Sequence, residues 1–122
     1  MVSSSSMLAT LVRAHLQQVA ARTETITYQA VAEQMRLQPP NTIHQLTNAL
    51  EALMREDAAA GRPFIAALVV SKRPPYLPRP GFFECAAQLG RFSGIDSEAP
   101  VFHARELAAA RAYWSVNEER GR

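Results

Sequence analysis

Cysteine is almost missing from this sequence; there is one, Cys85. A single thiol closes no internal disulfide, so a disulfide scaffold is excluded and nothing points to an oxidising compartment. Glycine is scarce too, five in 122 residues, which excludes a collagen-like chain. No Gly-rich phosphate loop is present. No apolar run approaches the roughly 20 residues that cross a bilayer. The apolar stretch at residues 7–12 stops at Arg13 and has no basic segment before it. It reads neither as a membrane span nor as a signal peptide. Neither sign of charge dominates, since 13 Lys+Arg against 11 Asp+Glu leave +2. Net charge therefore argues for no partner, and any electrostatic argument must rest on where the charges lie. Three histidines and one cysteine are scattered without metal-ligand spacing. No paired-carboxylate or nucleophile–base motif appears, and Cys85 sits in an apolar run far from every histidine. It reads as a buried, inert thiol. The expectation is a cytoplasmic protein without enzymatic activity, metal or cofactor, and with no membrane association.

What is present is ordinary globular composition, 48% hydrophobic and 20% charged. A chain this long makes one domain and buries about two-thirds of its unfolded surface. Residues 1–6, with four consecutive serines, read as a flexible leader. Residues 7–117 read as the single domain, and residues 118–122 as a polar tail.

Residues 7–22 carry a helical stripe of Leu8, Leu11, Val12, Leu16 and Val19. Residues 23–26 are β-branched and polar, enough for a link or a single bridge. Thr27 is a good N-cap for a short helix over residues 28–36. Pro39 and Pro40 stop it. Thr42 with Gln45 three residues on forms a capping-box pattern for a longer helix. Its buried face is Ile43, Leu46, Leu50, Leu53 and Met54, and Gly61 supplies a C′ glycine. Residues 64–70 (FIAALVV) read as a strand. Residues 71–80 (SKRPPYLPRP) read as a proline-rich loop, and residues 81–83 as a return strand. A helix over residues 84–89 ends at Gly90. A last helix starts near Pro100 and runs to about residue 117, with Leu107, Ala110 and Trp114 on one face. The predicted fold is mainly α with a small β hairpin: a winged helix-turn-helix with an added C-terminal helix.

Two clusters could carry function. The first is the start of the helix over residues 42–55, the recognition helix of such a fold. With its apolar side buried it exposes Asn41, Thr42, His44, Gln45 and Asn48. These are neutral hydrogen-bonding side chains suited to base edges in a major groove. The bland alternative is that Thr42 and Gln45 cap their own helix while His44 and Asn48 are merely solvated. Glu51, Glu56 and Asp57 lie further along and would repel a phosphate backbone, so only the first two turns could approach one. The second cluster is the loop at residues 71–80. Lys72, Arg73, Tyr76 and Arg79 fall together there, with no acid between Asp57 and Glu84, and Arg62 could join them. A stiff basic loop with one aromatic residue suits a wing that holds phosphates. Four prolines equally suit a protein-docking surface. On the last helix Phe102, Leu107, Tyr113 and Trp114 read mostly as core packed against residues 7–22, with Leu107 and Trp114 the better core residues. The alternative is a dimer seam or a protein partner, for which Tyr113 and Trp114 are the candidates.

Residues 25–50 (TITYQAVAEQMRLQPPNTIHQLTNAL) resemble the DNA-binding region of alkylguanine-DNA alkyltransferases and alkyltransferase-like proteins. Thr27-Tyr28 and Val31-Ala32 match that family's first helix, and Ala49-Leu50 the end of its recognition helix. The resemblance covers about a fifth of the chain and implies a winged-helix architecture. The family's Pro-Cys-His-Arg active-site motif is absent, and its base-displacing arginine would fall at His44. The repair activity is therefore not implied. The leading expectation, from the helix and loop residues themselves, is a non-enzymatic protein that binds double-stranded DNA, a small regulator or accessory factor. The rival reading is a winged-helix module for protein interaction or dimerisation, using the proline-rich loop and the aromatic C-terminal helix.

Overall fold

The computed structural model describes residues 4–120. Among these residues five α-helices carry the fold: α1 (Ser4–Ala21), α2 (Tyr28–Gln34), α3 (Thr42–Ala59), α4 (Pro80–Gln88) and α5 (Ala99–Arg120). Two strands of two residues, β1 (Ile26–Thr27) and β2 (Val69–Val70), pair in parallel with Ile26 opposite Val69 and Thr27 opposite Val70. The helix α1 begins inside the segment read as a leader, and α5 extends into the segment read as a tail. Residues 1–3 and 121–122 lie outside the described residues.

Local chemistry sets most helix ends. Thr27 Oγ1 accepts the Ala30 N–H at 3.1 Å and caps α2, as its position predicts. Four helices end in the same way. In α1, α2, α3 and α4 the residue two beyond the last helical one takes a left-handed backbone, and the N–H after it returns to a carbonyl of the final turn. This is the Schellman closure. Gly61 and Gly90 provide it for α3 and α4, while Thr23 and Arg36 provide it for α1 and α2 at φ of 53° and 54°.

The core lies where α1 packs on α3 and α5. Val12, Leu16, Leu46, Leu53 and Met54 are buried there, together with the whole run from Phe64 to Val69. That run is mostly not the predicted strand. Ile65–Leu68 forms a 3₁₀ turn surrounded by α1, α3 and α5, and strand begins only at Val69. A short run that is apolar on every side shows burial but no period, so sequence cannot assign it. The hairpin is also corrected. The residues read as its return strand, Gly81, Phe82 and Phe83, lie in α4. Pro80 stands at the first turn of α4, where its missing N–H costs nothing and its φ is already helical. The partner of β2 is instead β1, some forty residues earlier in sequence. The connection between these parallel strands is the α2–α3 pair, since parallel strands need a long crossover. That pairing fixes the 71–80 loop directly beside the start of α2.

Beyond α4 the chain folds back in an aromatic cluster. Phe82, Phe83, Phe92 and Phe102 meet at centroid separations between 4.9 and 6.4 Å. This cluster ties α4 to α5.

Candidate nucleic-acid interface

The loop at residues 71–80 is closed at its neck. The Ser71 N–H donates to the Leu77 carbonyl at 2.9 Å, and the Tyr76 N–H to the Arg73 carbonyl at 2.9 Å. Tyr76 takes a left-handed backbone at φ 60° and leaves its ring 55% exposed. A non-glycine residue held there is strained, and such strain persists only where surrounding structure imposes it. The far end of the loop is latched to α2. The Arg79 N–H donates to Tyr28 Oη at 2.8 Å, and the Arg79 guanidinium lies 5.9 Å from the Tyr28 ring centre. The Tyr28 body is buried, and burial pushes its hydroxyl pKa up against the pull of Arg79.

These tethers bring three elements to one groove of about 280 Å³. Thr27, Tyr28 and Gln29 line it from the start of α2, Ile43 from the first turn of α3, and Ser71, Lys72, Arg73 and Arg79 from the loop. No acidic residue lines it. Among the described residues no carboxylate pairs with Lys72, Arg73 or Arg79. All three are exposed.

On α3 the predicted residues separate. Asn41, His44 and Asn48 are exposed along the first two turns. Asn41 is the N-cap in place of Thr42, with a left-handed backbone at φ 64° and no side-chain capping bond. Thr42 is half-buried and lines a neighbouring groove with Gln29 and Arg36. Gln45 makes no capping box. Its Nε2 donates to the carbonyls of Gln38 and Pro40, both at 3.0 Å, and braces the turn before the helix. Two adjacent prolines leave two carbonyls without nearby N–H partners, and an amide one turn into α3 is placed to satisfy them. Gln45 is thus a brace and its donors are occupied.

Two more residues lie away from the groove. Arg62 is bound to Asp57 (Nε 3.1 Å and Nη2 3.0 Å from Oδ1) and stacks over Trp114 at 5.4 Å. Trp114 is 4% exposed, not partner-facing, with its indole N–H turned to the Pro63 carbonyl at 3.4 Å. A large ring completes the α1–α5 core there at the cost of any surface role. Tyr113 remains partly exposed, edge-on to Trp114 at 4.8 Å.

Sequence reasoning also misplaced an acidic charge. Asp57 does not face the side of α3 that would meet a backbone. It is fully buried; Oδ2 accepts the Ile65 N–H at 3.1 Å, and Arg13 and Arg62 both reach Oδ1. Burial pushes its carboxyl pKa up, while the Ile65 N–H and the two guanidiniums pull it down. Glu56 pairs with Arg13 at 3.0 Å. The acids at the distal end of α3 are thereby turned toward α1.

Cys85 is buried, and burial pushes its thiol pKa up, with Glu51 adding to the effect and Arg55 opposing it. A thiol held protonated is a poor nucleophile. Among the described residues no group of three or more His, Cys, Asp or Glu is placed to hold a metal ion. No described helix is long and apolar enough to cross a membrane. Thr27 and Gln29 were not anticipated as lining residues; their only signal was a place at the start of a short helix. No protein-family model, curated protein or solved structure matches the chain.

Proposed function

We propose that this chain is a non-enzymatic, double-stranded DNA-binding protein of the winged helix-turn-helix kind. Its wing is a closed proline-rich loop in place of a hairpin. Lys72, Arg73 and Arg79 hold phosphates, with Tyr76 at the loop tip against the sugar–phosphate edge. The first two turns of α3 present His44 and Asn48 to base edges, with Asn41 at the helix start. The carrying observation is the acid-free groove in which the three loop cations meet the starts of α2 and α3. Phosphate contacts give such a protein its affinity, and the few helix side chains give it preference. The inward turn of Asp57 and the Glu56–Arg13 pair support the reading by lowering repulsion along α3. The likeness of residues 25–50 to the DNA-binding region of alkyltransferase-like proteins is in keeping with the winged-helix part of this reading.

The test is fluorescence anisotropy with a labelled random-sequence duplex at low salt. Wild type binds, the Lys72→Ala/Arg73→Ala/Arg79→Ala variant loses binding, and Arg105→Ala, an exposed change on α5, keeps it. No binding by wild type at low salt overturns the proposal. Equal loss in Arg105→Ala assigns the binding to overall charge and overturns the assignment to the loop.

A further inference from the structure

A second cavity, of about 310 Å³, shares Tyr28 and Arg79 with the basic groove. Leu50, Met54, Ala66 and Phe82 line it with buried apolar surface. Glu51, half-buried on α3, lines the same space. Its Oε2 lies 3.4 Å from where a Cβ on Gly81 would stand, against the first turn of α4. No hydrogen bond or ion pair joins the Glu51 carboxylate to any described residue. Every other buried or half-buried carboxylate described, at Asp57 and Glu106, is bonded to arginine and to a backbone N–H. Glu51 is the exception, and its cavity is of the size that takes small ligands, roughly 300–1,000 Å³.

The geometry points to a binding site for a small aromatic amine or amidine, a flat apolar ring carrying N–H donors. The ring lies on Leu50, Met54 and Phe82, and the donors meet the Glu51 carboxylate. An acceptor-only group in a partly desolvated place gains most from a charged or multiple N–H donor. A ligand carboxylate would instead face Glu51 with like charge. Arg79 is the one cation among the lining residues; it is exposed and lies over the Tyr28 ring, so solvent screens it more than it screens Glu51. The positive end of α4 favours a negative side chain at this position, and that contact occupies none of its lone pairs. The site shares Tyr28 and Arg79 with the basic groove, but its proposed ligand contacts are Leu50, Glu51, Met54 and Phe82, and its test contains no DNA.

The test is a ¹H–¹⁵N NMR titration of the full chain with benzamidine, with benzoate as the ring-matched anion. Benzamidine produces saturable shifts of the Ala66, Gly81 and Phe82 amides. Benzoate at the same concentrations produces none, a comparison that needs no variant. Glu51→Gln, whose own spectrum reports its fold, weakens benzamidine at least tenfold. Absence of saturable benzamidine shifts overturns the inference. So does equal binding of benzoate, or undiminished binding in Glu51→Gln.

Discussion

Replacing Asp57 by alanine removes the acceptor that joins α3, α1 and the 3₁₀ turn. The carboxylate is fully buried and holds three groups: the Ile65 N–H at 3.1 Å, Arg13 at 3.0 Å and Arg62 at 3.0 Å. Breaking a buried charge pair from one side costs about 3–5 kcal/mol, because the remaining charge is stranded. A stranded backbone N–H costs about 1–3 kcal/mol. Both guanidiniums find partial relief here. Arg13 keeps Glu56, and the Arg62 side chain is 30% exposed. Both also retain the Trp114 face, at 5.0 and 5.4 Å. The expected loss therefore falls at the low end, about 3 kcal/mol. Since burial already pushes this carboxyl upward, the loss measures stranded partners more than the net worth of the ion pairs. Urea unfolding at neutral pH reads it. With a slope of about 1–2 kcal/mol per molar for a chain this size, the midpoint falls by about 1.5–3 M. Asp57→Asn, which keeps an acceptor for Ile65, loses less. A loss below about 1 kcal/mol for the alanine variant would refute the reasoning and return Asp57 to the solvent side of α3.

Other consequences can be checked with the same unfolding assay. Burial lowers the pKa of His103, whose Nε2–H donates to the Ala67 carbonyl at 2.9 Å, and of His15 as well. The unfolded chain then binds more protons than the native one below the ordinary value of 6.5. Stability accordingly falls as pH drops from 6.5 toward the lowered native values, and His103→Gln flattens that fall. Arg36→Gly relieves a left-handed non-glycine backbone and raises stability by about 1 kcal/mol. Tyr28→Phe removes the acceptor of the Arg79 N–H, costs about 1 kcal/mol, and weakens duplex binding in anisotropy by loosening the loop. Unchanged binding in Tyr28→Phe would show that the latch does not position the loop.

Much of the helical framework was legible because its signals are local. The Thr27 cap, the glycine stops at Gly61 and Gly90, and the buried face of Leu46, Leu50, Leu53 and Met54 each follow from a few neighbouring residues. The β pairing was not legible. Two-residue strands carry no alternation, and Ile26 finds Val69 across two intervening helices. The commitments of Arg62 and Gln45 were hidden too. Arg62 binds an aspartate whose inward turn the sequence does not show, and Gln45 serves carbonyls left bare by prolines. The loop cations were legible as a cluster. Their meeting with Thr27 and Gln29 required the strand pairing.

The most direct test of the central claim is the salt dependence of duplex binding in wild type and in Lys72→Ala/Arg73→Ala. Each phosphate contact contributes about 0.9 to the slope of log affinity against log salt. The account predicts steep weakening of wild-type binding with salt, and a slope shallower by about 2 in the double variant. Equal slopes in the two proteins, or no wild-type binding at low salt, would contradict it.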